Sequence, residues 1–236
     1  MFRLLRELFS SDNLLEECFN ATADMLREDF VMFEESTRTL RHSDSDELQF
    51  DIYKADKKIN KYEREVRRKV LAHLTVSRPT DVGPGLVLIS VVGNVERIGD
   101  YTKNITELAT AHPNRLHGFK FEDELAEVEL KLTDRFKKVT EAFASSNEEL
   151  ARQIMEGHRD IASWCDTTVN EIIIGPTEGL HTGHAVVLAL YIRFLKRIWA
   201  HLTNISSSIV NPFPRIGYRM KDSDMPPGNK SDDKKE

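Results

Sequence analysis

The chain has 236 residues, of which 40% are apolar and 31% charged, and its 33 Lys and Arg against 39 Asp and Glu give a net charge of −6. That balance excludes a disordered or fibrous protein, and the lack of a strongly basic stretch argues against nucleic-acid binding. The longest clean apolar run, Ala185 to Ile192, has eight residues, where a membrane-spanning helix needs about 20, so no membrane insertion is expected.

The chain opens on MFRLLRELFSSD, a short amphipathic lead-in in which Arg3, Arg6 and Glu7 interrupt the apolar residues. It lacks the apolar core and small-residue cleavage site of a secretory signal. Two cysteines, Cys18 and Cys165, make no disulfide framework, so a reducing, cytoplasmic setting is expected. No proline precedes Pro79, and the proline-free stretches carry apolar residues at helical spacing, with no alternation of period two. The predicted fold is all-α, with six long helices. They run from about Asp12 to Leu40, from Ser43 or Ser45 to Leu74, from Pro79–Gly85 to before His112, from Phe119 to Ala144, from Ser146 or Asn147 to Gly175, and from Thr182 to Val210. In the second, Ile52, Ala55, Ile59, Tyr62, Val66 and Val70 form one apolar stripe. The third opens on LVLISVV, apolar on most sides, which suits the interior of a bundle. Beyond Asn211 the chain is polar and broken by prolines, so 211–236 is expected as a disordered tail.

The sixth predicted helix resembles the third. LVLISVVGNVERIGDYTKNI (86–105) aligns without gaps on VVLALYIRFLKRIWAHLTNI (186–205), with Arg97/Arg197, Ile98/Ile198, Asn104/Asn204 and Ile105/Ile205 identical. The preceding helices align as well, Leu48 with Leu150, Ile52 with Ile154 and Ile59 with Ile161. Two three-helix bundles follow, in residues 1–115 and 116–210, because up-down helices with short connections pack that way.

The chemistry is concentrated in the first unit. Glu96 and Asp100 are four apart, on a stripe with Gly93 and Asn104. Two carboxylates so placed repel each other unless a cation or several donors lie between them. Gly93 and Gly99 each weaken the helix by about 1 kcal/mol, a cost that makes sense if something approaches the backbone closely there. On the second helix, Asp56, Asn60 and Glu63 border the apolar stripe. If the two helices are neighbours, Asp56, Glu63, Glu96 and Asp100 come together, and an oxygen-rich set of that kind suits a hard cation, iron or manganese included. The plain alternative is a set of solvated or ion-paired side chains, with Arg97, Lys57 and Lys58 as possible partners. Composition alone produces roughly six acidic-x-x-x-acidic pairs in a chain like this one.

The second unit has lost this set. Lys196, Ala200 and Arg193 stand where the first has Glu96, Asp100 and Gly93, and His158, Ala162 and Cys165 stand for Asp56, Asn60 and Glu63. One metal-competent half and one structural half are expected. Arg193, Lys196 and Arg197 form a small basic cluster, whose alternative use is docking an acidic partner or a phosphate. His158 with Cys165 reads as packing rather than as a soft-metal site.

DKKINKYE (56–63) followed by VERIGDYTKNI (95–105) resembles the PhoU family of phosphate-uptake regulators, and the resemblance covers about residues 12–210. It implies two three-helix bundles and a metal ion, iron or another divalent cation, held by Asp56, Glu63, Glu96 and Asp100, with Asn60, Asn104 and Arg97 as supporting groups. It does not extend to Lys196 and Ala200. It also implies a cytoplasmic, homodimeric regulator of phosphate-starvation signalling rather than an enzyme. Its partners would be the ATPase subunit of a phosphate ABC transporter and a sensor histidine kinase. The divergent second half leaves open a paralogue serving another transporter. A ferritin-like metal enzyme needs Glu-x-x-His motifs that are absent here, and no phosphate loop or nucleophile–base spacing is legible. A metal-free helical scaffold, its acidic face binding a basic partner, is the remaining competitor.

Overall fold

The structure is a computed structural model, and it describes residues 13–44, 50–112, 114–156, 159–175 and 181–218. Seven α-helices run through these residues: α1 (Asn13–His42), α2 (Ile52–Leu74), α3 (Val82–Ala111), α4 (Glu122–Ser145), α5 (Glu148–Glu156), α6 (Arg159–Ile174) and α7 (Thr182–Val210). The fold is all-α, as expected. The fifth predicted helix is described in two stretches, α5 and α6, on either side of residues 157–158, which lie outside the described residues.

The helix ends follow local chemistry. Helix α2 starts later than Ser43 or Ser45 would have it. Asp51 is its cap, its carboxylate accepting the Lys54 amide at 3.0 Å. Pro79 opens a single turn of 3-10 helix, and Pro84 falls in the first turn of α3, where a missing N–H costs nothing. Ser146 ends α4 in the left-handed conformation at φ 54°.

Helices α1, α2 and α3 pack on one another, and α7 packs on α4, α5 and α6, giving two tandem bundles. The halves meet along α3 against α7 and α1 against α4. The two repeat-related helices are therefore the central ones, which explains their apolar character on nearly all sides. Val87, Leu88, Val91, Val92, Val95, Ile98 and Ile105 of α3 are buried, as are Leu188, Tyr191, Ile192, Leu195, Ile198 and Leu202 of α7. By length and composition Pro79–Ala111 could cross a membrane, with half of its apolar window buried inside the bundle. Ser90 and Gly93 interrupt its apolar residues, so it holds no long uninterrupted apolar run.

Aromatic rings fill the α1–α4 contact. Phe19 stacks on Phe143 at 4.7 Å, and Phe136 receives Phe30 and Phe33 at 5.2 and 5.8 Å, each pair adding about 0.5–1.5 kcal/mol beyond its burial. Beside them a buried polar latch ties three helices. Arg41 of α1 donates to Glu129 of α4 at 2.7 Å and to Glu122 at 2.7 Å, and the Tyr191 hydroxyl of α7 donates to Glu129 at 2.7 Å.

Residues 211–218 depart from the expected disordered tail. The Asn211 amide donates to the Arg215 and Tyr218 carbonyls at 3.1 and 2.7 Å, and the Gly217 amide donates to the Ser207 hydroxyl at 2.7 Å. Residues 211–218 thus fold back onto α7; 219–236 lie outside the described residues, as does the lead-in 1–12.

Candidate functional site

The first bundle aligns its acids along the α2–α3 seam. Asp56 and Glu63 turn inward from α2, at 9% and 7% exposure. Lys103 of α3 donates to Asp56 Oδ1 at 3.2 Å and to Asp100 Oδ1 at 3.1 Å, so one ammonium bridges two helices. Desolvation pulls the Lys103 pKa down, but its hydrogen bonds to Asp100 and Asp56 outweigh it and leave the pKa raised. Asn60 donates to the other oxygen of Asp56 at 3.3 Å. Asn104 lies half-buried one turn beyond Asp100.

Glu63 and Glu96 share a cleft of about 450 Å³ with Arg67, Asn94, Arg97 and His201. Arg67 pairs with Glu63 at 2.7 Å. Burial raises the Glu96 pKa, and Asp100 and Glu63 raise it further, against the pull of Arg97 and Arg67. The structure therefore brings Asp56 to Asp100 and Glu63 to Glu96. Lys103 lies between Asp56 and Asp100, Arg67 pairs with Glu63, and Arg97, one of the cations suggested by nearness in sequence, acts on Glu96 from the same cleft. Lys58 instead bonds Glu28 of α1 at 3.0 Å.

The two glycines make room for side chains. A Cβ on Gly93 would sit 3.1 Å from Arg67 Nη2. A Cβ on Gly99 would sit 2.9 Å from Asp29 Oδ1 and 3.4 Å from Ile59 Cδ1. What approaches the α3 backbone at Gly99 is thus a fifth carboxylate, from α1.

Asp29 was not among the expected site residues. Its residue exposure is 0%, and neither carboxylate oxygen has a hydrogen-bond partner among the described residues. Its pKa is raised well above the usual carboxylate range, first by desolvation and then by Glu28, Asp56, Glu96 and Asp100. A signal for it was present in the sequence. Thr22, Leu26, Asp29, Phe33, Ser36 and Leu40 step along α1 by fours and threes, and all six are buried. An acid in the middle of a core stripe is a misfit that calls for a partner.

The donor chemistry of Asp29, Asp56, Glu96 and Asp100 fits a hard cation, since every donor is a carboxylate oxygen and one is buried without a partner. The spacing is looser. Among the described residues, no three His, Cys, Asp or Glu stand close enough to hold a metal ion as they are arranged.

The second bundle keeps the fold without the acids. Cys165 is buried, and burial pushes its thiol up to about 12, so it serves as packing. His158 lies outside the described residues. Asp166 closes the basic cluster, pairing with Arg193 at 3.2 Å and with Lys196.

A two-bundle helical protein with one acidic, glycine-lined seam defines the class. Comparison with known proteins finds a matching family model: that of the PhoU domain matches residues 22–109, which hold Asp29 and all the seam acids of α2 and α3. The first bundle is thus similar to a PhoU domain. Two solved structures share its fold. The phosphate transport system regulatory protein PhoU from Streptococcus pneumoniae is 16% identical, with TM-score 0.62 over 89% of this chain and 95% of that one. PhoU from Pseudomonas aeruginosa is 17% identical, with TM-score 0.65 over 89% of this chain and 97% of that one. No curated protein sequence matches the chain.

Proposed function

We propose that this protein regulates phosphate uptake by binding a divalent cation in its first bundle and acting as a homodimeric, cytoplasmic adaptor. On this reading it links the ATPase subunit of a phosphate ABC transporter with a sensor histidine kinase. The observation that carries the cation half is Asp29, a fully buried carboxylate with no partner, set beside Asp56, Glu96 and Asp100. A buried acid in that position costs stability unless a cation or a proton compensates it. Lys103 already holds a positive charge between Asp56 and Asp100. Its side chain is 22% exposed, so it has room to swing outward. Asp29, Asp56 and Asp100 would then hold the ion, with Glu96 and Glu63 at the cleft side. The regulatory half rests on the likeness of residues 22–109 to the PhoU domain and on the shared fold.

A second reading has its own support. Lys103 and Arg67 already pair with Asp56, Asp100 and Glu63 as the seam stands, an arrangement that suits a metal-free scaffold. For the adaptor role, the test is affinity capture of the full chain from phosphate-replete cells. Recovery of a phosphate transporter ATPase or a histidine kinase is expected. Recovery of a different transporter's ATPase alone would assign the protein to that carrier, and recovery of neither class would contradict the adaptor role.

A further inference from the structure

The second bundle encloses a cavity of about 350 Å³ between α4, α5, α6 and α7. At its floor Arg135 is 5% exposed. Its Nη1 donates to the Ile154 carbonyl at 2.8 Å and its Nη2 to the Thr203 hydroxyl at 2.9 Å, and the guanidinium lies 4.1 Å from the Trp199 ring centroid. Its Nε is buried and has no acceptor among the described residues. Nor does any carboxylate among them form a salt bridge with it. Arg41, the other buried arginine among the described residues, shows what the usual compensation looks like, closed by Glu122 and Glu129. Burial alone lowers the Arg135 pKa to about 10, so the group remains cationic at neutral pH. A buried charge that meets neutral acceptors and leaves one donor open is poorly compensated.

The rest of the cavity suits an anion. Lys131 and Lys138 line it one turn to either side of Arg135 on the same face of α4. Each is tied only to an exposed acid one turn away, Glu127 at 2.6 Å and Asp134 at 2.7 Å, and such surface pairs are weak and exchange readily. Among the described lining residues, three cations stand against one acid, Asp134, an excess of two positive charges. Leu150, Ile154 and Ile161 form an apolar wall that strengthens the field inside. Two charges match a dianion, whereas a monocarboxylate would leave one unanswered. Arginine's planar fork also matches the oxygens of a phosphoryl group.

We propose that this cavity binds a small phosphoryl dianion, either inorganic phosphate or a phosphate ester, with Arg135 as the buried anchor and Lys131 and Lys138 at the mouth. The site is separate from the acidic seam and does not depend on metal binding there.

Trp199 under the guanidinium is a built-in reporter. The chain has two tryptophans, so Trp164→Phe in the full-length protein isolates its emission. Titration with inorganic phosphate, and in parallel with glycerol 3-phosphate, is expected to change that emission saturably. Sodium chloride at matched ionic strength is not. Lys131→Gln with Lys138→Gln, both on the surface, is expected to raise the Kd about tenfold or more, and Arg135→Gln to abolish the response. If Arg135→Gln fails to fold by circular dichroism, the lysine pair decides. Tighter binding of the ester assigns an organic phosphate, and tighter binding of the free ion assigns inorganic phosphate; both support the site. No saturable change with either ligand, an equal response to chloride, or an unchanged Kd in the lysine double variant overturns it.

Discussion

Asp29 is the residue on which the first bundle turns. Its carboxyl keeps its proton to a higher pH in the folded chain than in the unfolded one, where carboxylates titrate near 3.9. Its contribution to stability is therefore most favourable below that unfolded value, and it is lost as pH rises through the folded pKa. Asp29→Asn should stabilise the cation-free protein by about 1–3 kcal/mol at pH 7. A melting temperature a few degrees higher would register this, and the gain should shrink near pH 4. A lower melting temperature at pH 7 would show that the carboxylate is compensated in the fold. The glycines give a matched pair of tests. Gly99→Ala pushes a methyl against Asp29 Oδ1 and Ile59, and should cost about 1–3 kcal/mol. Gly93→Ala meets only the far end of Arg67, which can move, so the gain of about 1 kcal/mol in helix propensity should leave it neutral or stabilising. Urea denaturation of the two variants distinguishes them. The sequence showed that both glycines needed an explanation. It did not show what fills the space, because Asp29 and Arg67 come from other helices.

At the scale of elements, helix identity follows from periodicity and proline placement, and the boundaries follow from caps. The late start of α2 depends on Asp51 accepting the Lys54 amide, a local bond that competes with the equally good capping residues Ser43 and Ser45 in sequence. What periodicity cannot supply is pairing between helices. Asp56 reaches Asp100 because α2 lies against α3, and Lys103 closes the gap from one turn further along. The Arg41–Glu129–Tyr191 latch was likewise invisible, since its members stand 88 and 62 residues apart. Arg41→Ala leaves Glu129 buried with its countercharge gone, and should cost about 3–5 kcal/mol. A double-mutant cycle with Glu129→Gln should recover part of that loss. Additive losses would show that the pair is not coupled.

For the whole molecule, the internal repeat was the most informative feature of the sequence. It placed α3 and α7 in equivalent positions, and those two helices form the centre of the fold, where the halves meet. It also located the asymmetry. The first bundle retains acids around Gly93 and Gly99, while the second replaces them with Lys196, Ala200 and Arg193, the basic pair closed by Asp166. The two halves therefore share a scaffold and differ in charge, with an acidic seam in one and, among the described residues, a buried arginine without a carboxylate partner in the other. Such division is expected where function is grafted onto a repeated fold.

The central claim, that the seam exists to hold a cation, is tested most directly by titrating manganese(II) into the full-length protein and its Lys103→Met variant. If Lys103 occupies the place of the ion, removing its charge should tighten manganese binding by at least about tenfold, and adding Asp56→Asn with Asp100→Asn should abolish it. If Lys103→Met binds manganese no better than the parent and is only less stable, Lys103 is the permanent cation of a metal-free scaffold and the claim is contradicted.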